Sequence, residues 1–208
     1  MSLRKPGREE LLRFWRALAG KLELSGEEVE RMTELTHRLL EEGGLTYEEA
    51  SELASEDLLL LAHEFALVVL SRGPGDRCLE WDACPLGPGA RLSLNPAAEA
   101  VLRACLEGRE VREALSSLLA ELGLDSDRAG KLAHAALELA RRRVITGSDV
   151  ASACRSQGLE GFESQAVAIL KAAGAISPLL ATTWPSQDVR YRTCALLALA
   201  GECRIAGK

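Results

Sequence analysis

Two cysteines are the residues whose spacing comes nearest to that of a metal site. Cys78 and Cys84 form a C-x5-C pair. On a strand the two thiols would share one face but lie about 20 Å apart, whereas zinc ligands converge to within about 2.3 Å of one ion. No second Cys/His pair lies nearby in the sequence. A structural role is therefore favoured over metal binding, with Cys78 and Cys84 as weak metal candidates, and no cofactor is expected.

Three histidines lie on different predicted helices. Glu34 and His37 have the Glu-x-x-His spacing of di-iron bundles, but those bundles use the motif twice with further carboxylates. A solvated helix face is the favoured interpretation. His63 stands beside Glu64 in an apolar segment, which favours a hydrogen-bonded core or interface histidine over a catalytic one.

Motifs of the common catalytic classes are absent from the sequence. It contains no G-x-S-x-G, no phosphate-binding loop and no G-x-G-x-x-G. The two Gly-Pro-Gly segments suit turns better than anion cradles, because proline lacks an N–H donor. We predict no catalytic residue and favour a non-enzymatic role.

The predicted cytoplasmic location rests on the lack of an export signal and on the cysteine pattern. The N-terminus lacks a signal-peptide pattern, and no run reaches the roughly 18 apolar residues of a membrane span. The six cysteines are then expected to be mainly reduced thiols, as in a cytoplasmic protein without membrane contact.

The net charge of −6 is unevenly placed. Residues 1–72 hold nine Lys/Arg against fifteen Asp/Glu, whereas the rest of the chain is close to neutral. Nucleic-acid binders usually show the opposite field, since phosphate contacts need concentrated Lys and Arg. A protein or peptide partner is therefore favoured and nucleic acid disfavoured, while a homo-oligomer is compatible with the sequence.

The secondary-structure elements that carry these residues are predicted to be mainly helices. Leu and Ala dominate the apolar residues and aromatics make up 4%. Capping boxes at Ser25 and Thr46 begin two helices. Residues 58–70 are apolar nearly all round and predict a buried central helix. Alternation in residues 77–82 and 90–94, around a Pro/Gly turn, predicts two short strands.

A helix-turn-helix outline occurs twice in the second half. Helices ending in Arg141-Arg142-Arg143 lead to an extended exit near residue 145, and helices at 148–157 and 162–173 lead to another near 176. Strand is expected mostly at 76–94 and at these exits, and a last helix at 186–200. The second outline's recognition helix carries few base-reading side chains, so it is expected to pack against protein.

The stretch Leu92-Ser93-Leu94-Asn95-Pro96, with its helix closed by Glu107-Gly108 and the continuation to Ile145, resembles PqqD-like peptide-recognition domains. The resemblance covers residues 76–146. It implies a winged-helix-like module that holds a substrate peptide as an added strand between a sheet edge and its third helix. The peptide-binding residues it implies are Arg91, Leu92, Ser93, Leu94, Arg128, Lys131 and Ala135.

These observations predict a mainly α fold in three parts. An acidic helical segment (1–72) precedes a winged-helix-like domain with a small hairpin (73–146), and a small helix-turn-helix-like unit (147–208) packs on it. The leading function is a non-enzymatic peptide- or protein-binding adaptor. A transcriptional regulator with tandem helix-turn-helix units is the alternative, and a cysteine-based metal or redox role is the third.

Overall fold

The computed structural model describes residues 5–71, 86–179 and 189–202. Helix accounts for 64% of these residues, and the strands form two small sheets. The prediction of a mainly α protein is confirmed. The predicted strand at 77–82, which contains Cys78, lies outside the described residues, as does Cys84.

The first unit (residues 26–94) has the order helix, strand, helix, helix, strand, strand, and is preceded by helix α1 (Arg8–Leu22). Its elements are α2 (Gly26–Glu42), β1 (Leu45–Thr46), α3 (Tyr47–Leu53), α4 (Glu56–Glu64), β2 (Val68–Ser71) and β3 (Arg91–Leu94). The antiparallel sheet has the order β1-β3-β2. The last strand in sequence is thus the middle strand in space.

The second unit (residues 126–193) repeats this order after two linking helices, α5 (Pro96–Glu107) and α6 (Val111–Glu121). Its elements are α7 (Ser126–Leu139), β4 (Val144–Thr146), α8 (Gly147–Ser156), α9 (Glu163–Ala172), β5 (Ile176–Leu179) and β6 (Arg190–Thr193), followed by α10 (Ala195–Ala198) and a 3-10 turn (Ala200–Glu202). The sheet order β4-β6-β5 matches that of the first unit.

Matching caps explain why the same elements form twice. Thr46 begins α3 by accepting from the N–H of Glu49, whose carboxylate accepts from the N–H of Thr46. Thr146 and Asp149 make the same reciprocal pair at the start of α8. Such a box satisfies backbone donors that have no partner within the helix.

Both units share one hydrophobic core, which runs from α1 to α10. Its largest side chain is Trp15, whose indole N–H donates to the hydroxyl of Thr36 at 3.2 Å. An indole N–H buried without such a partner would be costly. The predicted acidic segment (1–72) shares this core with the rest of the chain.

The two units meet at the corners that follow α4 and α9. Ala66 (φ 52°) and Gly174 (φ 72°) occupy equivalent left-handed positions there. The side-chain amide of Asn95 donates to the carbonyl oxygens of Ala66 at 2.7 Å and Gly174 at 2.8 Å. Its own oxygen accepts from the N–H of Ala97 at 2.9 Å and so caps α5. One side chain thus joins both corners to a helix start.

Backbone hydrogen bonds across this junction come in a related pair. The N–H of Ala97, in α5, donates to the carbonyl of Ala173 at the end of α9. The N–H of Ala195, in α10, donates to the carbonyl of Phe65 at the end of α4. The helix that follows the last strand of each unit is therefore hydrogen-bonded to the other unit, and this fixes how the two units lie together.

Several predicted boundaries are wrong. The helix predicted for residues 58–70 ends at Glu64, and Val68–Ser71 pairs with β3. The helix predicted for residues 186–200 is replaced by β6 and the short α10. Strands therefore also occur outside the predicted places, and both sheets contain strands from either side of the predicted domain boundaries at 73 and 147. Tertiary pairing overrode local helix preference in both segments.

Candidate functional site: the helix faces and the inter-unit groove

The predicted peptide edge is not open. Arg91 and Leu92 pair with β1 on one side, while all of Arg91–Leu94 pairs with β2 on the other. An added strand needs a row of unpaired backbone groups, which a middle strand lacks. The prediction of an edge open along Arg91–Leu94 is therefore wrong at Arg91 and Leu92, whereas Ser93 and Leu94 pair with β2 alone.

The predicted facing helix does not complete such a groove. Arg128 stacks over the Phe162 ring at 5.4 Å and pairs with Asp125. Lys131 pairs with Asp127 at 2.6 Å, and Ala135 is fully buried. These residues lie on α7, which packs mainly against α6 and α8. The structure does not bring them together with β3.

The Glu34/His37 spacing, which lies within the described residues, does not form a metal site there. The carboxylate of Glu34 pairs with Arg8 at 3.3 Å, while His37 lies 3.6 Å from Glu41. Across residues 5–71, 86–179 and 189–202, no three His, Cys, Asp or Glu side chains are placed to hold a metal. The solvated-face interpretation of Glu34 and His37 agrees with these contacts.

Three of the cysteines lie in the described residues. Cys105 is disulfide-bonded, so the expectation of a reduced thiol is wrong at this position. Cys154 and Cys194 are free and buried. Burial raises the pKa of the Cys154 thiol, and raises the pKa of Cys194 to about 11, so neither is a reactive thiolate near neutral pH.

His63 lies in the cleft between the two units. The cleft, of about 60 Å³, is also lined by Val69 of β2, by Pro178 of β5, and by Lys171 of α9. Burial, and secondarily the charge of Arg192, lowers the pKa of His63 to about 4. The neutral imidazole at this junction fits the predicted interface histidine.

The exposed residues of α4 and α9 include no arginine or lysine, and Lys171 of α9 is half-buried. Glu56, Asp57, Leu60 and Glu64 are exposed on α4, with Leu60 at 41%. The exposed residues of α9 are Ser164, Gln165, Ala168 and Ala172. In a helix-turn-helix arrangement these helices would enter the DNA groove. The acidic face of α4 would repel phosphates, and the exposed side chains of α9 offer them no cation.

The arginine triplet after α7 is divided among three environments. Arg142 pairs with Asp149 at 2.6 Å. Arg143 lies over the ring of Phe65 in the first unit, 5.1 Å from its centroid. Arg141 is exposed and, within the described residues, makes no ion pair with a carboxylate. The triplet is thus more than a solvated helix end, because one member joins the two units.

A groove of about 320 Å³ opens at this point, between the ends of α1, α4 and α7 and the start of α10. We call it the inter-unit groove. Its polar lining contains four cations, two carboxylates and a hydroxyl, and its other residues are apolar. The residues that line it are Lys21, Leu22, Glu23, Glu64, Phe65, Ala140, Arg141, Arg143, Arg192, Thr193, Ala195, Ala198 and Leu199.

Arg192 is the half-buried cation of this groove. Its guanidinium donates to the carbonyl oxygen of Glu64 at 2.9 Å. Burial lowers the pKa of Arg192, the nearby Glu64 carboxylate raises it, and the like charge of Arg143 lowers it. The side chain remains charged, and the exposed Arg143 lies near enough for its charge to act on that of Arg192.

Sequence reasoning found Arg141 and Arg143 but missed Phe65 and Arg192. Phe65 follows α4 and Arg192 lies in β6, more than 120 residues further along the chain. The available signal for Arg192 was its place in a segment of alternating polar and apolar residues after the second helix-turn-helix outline. It was obscured because residues 186–200 were predicted to be helical.

A protein-family model matches residues 10–191. The chain belongs to this family. The match runs from α1 into β6, so both units lie within what the family shares, and it brings no activity or partner with it. No curated protein and no solved structure matches the chain.

In the part of the chain that the structure describes, none of the helices combines the length and apolar character needed to cross a bilayer.

Proposed function

We propose that this chain is a non-enzymatic adaptor that binds a protein or peptide partner, and that each of its two units is a winged helix. The element order helix, strand, helix, helix, strand, strand, with the last strand in the middle of the sheet, supports the second part. In such a unit the helix before the hairpin, α4 or α9, is the one that reads DNA.

The observation that carries the proposal is the chemistry of those two helix faces. α4 presents acidic groups around an exposed leucine, and α9 presents small and amide side chains. A duplex would meet carboxylates where it needs cations, whereas apolar and amide groups suit a protein surface.

The second candidate is a transcriptional regulator, which the repeated unit order favours. Tandem units present two candidate recognition helices, as a DNA reader requires. Against it, the C-terminal corners of α4 and α9 are held in the contact between the units through Asn95.

A cytoplasmic location remains a prediction, and the disulfide at Cys105 is an observation against it, because disulfides are rare in the cytoplasm.

Parallel selections on the immobilised full-length chain test the proposal. One uses a library of random peptides and the other a library of random duplex DNA, both at about 50 mM salt. We expect peptides to be enriched and to bind at micromolar concentration, and no DNA sequence to be enriched. Enriched DNA whose affinity falls steeply with salt would overturn the proposal in favour of a regulator, and enrichment of neither library would also overturn it.

A further inference from the structure

We propose that the inter-unit groove binds an acidic peptide segment of a protein partner, with carboxylates against its arginines and an apolar side chain on its floor. This inference rests on the proposed function and names the chemistry of the partner. It goes beyond the helix faces, because the groove exists only where the two units meet.

Charge selects the occupant. The groove brings Lys21, Arg141, Arg143 and Arg192 together against the carboxylates of Glu23 and Glu64. The chain as a whole has a net charge of −6. A cationic concavity in an acidic protein attracts anionic groups locally while the surrounding field repels extended polyanions.

Two of the cations are held close to each other. Arg143 is fixed over Phe65, and Arg192 is fixed by its hydrogen bond to the Glu64 carbonyl. Burial is the main cause of the lowered pKa of Arg192, and the like charge of Arg143 lowers it further, so the two charges oppose one another. A carboxylate beside both guanidinium groups would relieve this repulsion and form charge-assisted hydrogen bonds, which are stronger than neutral ones. The arrangement is therefore suited to an anion from a ligand.

The apolar lining explains why a peptide fits better than a free anion. Phe65 and Leu199 are half-buried and Ala198 is exposed, so apolar surface remains open beside the arginines. A groove of about 320 Å³ accommodates a few side chains. One acidic and one aliphatic side chain from a short segment would use both kinds of surface.

Nucleic acid fits the same groove less well. A phosphate backbone presents a long row of charges, and only a short part of it could enter this concavity. The remainder would run past Glu23 and Glu64 and towards the acidic face of α4, with Glu56 and Asp57. Like-charge repulsion there opposes binding.

The test uses an array of eight-residue peptides and the full-length protein. Half of the peptides combine Glu or Asp with Leu, Ile or Phe, and each has a partner in which Gln or Asn replaces the acidic residues. Fluorescence anisotropy then measures the affinity of the best binders for the wild type and for the Arg141→Glu/Arg143→Glu variant. The control variant Arg13→Glu/Arg155→Glu makes the same charge change at exposed positions outside the groove.

We expect the acidic peptides to bind, their amide partners to bind at least about tenfold more weakly, and the groove variant to lose at least about tenfold in affinity. The control variant should stay within about threefold of the wild type, since distant surface charges are screened. Circular dichroism checks that each variant is folded. If the double variant is not, Arg141→Glu alone replaces it, because Arg141 is exposed.

The outcomes separate the groove from the wider proposal. Peptides that bind equally well to the groove variant, or amide peptides that bind as well as their acidic partners, would overturn the groove assignment and leave the adaptor proposal standing. Absence of any binder in this array would likewise overturn the groove assignment alone, whereas the adaptor proposal is overturned only if the random peptide library also yields no binder. An oligonucleotide whose binding is abolished by Arg141→Glu/Arg143→Glu would assign the groove to nucleic acid instead.

Discussion

The two units share an element order and a sheet order but differ in their chemistry. The first unit has an acidic α4 and the half-buried His63 at its corner, while the second has a neutral α9 and Lys171 in the equivalent place. Buried Leu45 and Ile145, with the capping threonines that follow them, are alike in both. The topology depends on caps and buried positions, so the exposed faces are free to differ, and function is expected where they do.

The corners show the difference most sharply. Equivalent hydrogen bonds close the ends of α4 and α9, from Leu67 N–H to the Ala62 carbonyl and from Ala175 N–H to the Leu170 carbonyl. The left-handed residue between them is alanine in the first unit and glycine in the second. At the glycine, an added Cβ would overlap the side chain of Asn95.

The largest expected effect follows Gly174→Ala. The new Cβ would overlap the side-chain oxygen of Asn95, at a φ of 72° that favours glycine. Displacing Asn95 would leave buried carbonyls without donors, so we expect a loss of about 3 kcal/mol or more in the free energy of unfolding. Chemical denaturation followed by circular dichroism measures it.

A double-mutant cycle sharpens this result. Asn95→Ala alone should cost about 2 kcal/mol, since it removes a helix cap and two bonds to the corner carbonyls. If the clash with Asn95 is the cause, the two changes together should cost clearly less than their sum. Additive effects would show that backbone strain at Gly174, and not Asn95, explains the loss.

An intermediate effect is expected from pH, through His63. In the unfolded chain this histidine takes up a proton near its ordinary pKa of 6.5, whereas in the fold its pKa is lowered to about 4 by burial and by Arg192. The stability that this contributes is present above pH 6.5 and is lost as the pH falls towards 4. We expect a loss of up to about 2 kcal/mol between pH 7.5 and pH 5.

His63→Gln is the matched control for this pH dependence. The variant retains His37 and His134, so subtracting its pH profile from that of the wild type isolates His63. Denaturation midpoints measured at pH steps between 7.5 and 5 give the comparison. Identical slopes in the two proteins would show that His63 is protonated equally well in the folded state.

The smallest expected effect follows Ala66→Gly, the change that makes the first corner like the second. Glycine relieves the left-handed backbone, but the unfolded chain gains freedom and a buried methyl group is lost. These contributions oppose each other, so we expect a change within about 1 kcal/mol in either direction. A loss of more than about 2 kcal/mol in thermal or denaturant unfolding would show that the corners are not equivalent.

Local rules predicted much of the first half of each unit. The capping boxes at Ser25 and Thr46 begin α2 and α3, and the exits near residues 145 and 176 are strands. The helices at 148–157 and 162–173 are confirmed within a residue or two. These features depend on side chains close to the backbone groups they satisfy, so the sequence alone was sufficient.

Tertiary structure decided the segments that pair over long distances. Val68–Ser71 continues an apolar helical run in sequence, but its pairing partners in β3 lie 20 or more positions away in the chain. Arg190–Thr193 likewise becomes a strand between β4 and β5. A local pattern cannot report such a partner, and short apolar runs suit helix and strand alike.

The candidate site, too, depends partly on local sequence and partly on tertiary structure. Sequence by itself determined the charge of each helix face and placed Arg141 and Arg143 at the end of a helix. Only the fold brought Arg143 over Phe65 and set Arg192 against Glu64, residues that are far apart in the sequence. The groove is a product of how two similar units meet, and that contact depends on packing and hydrogen bonds between distant segments.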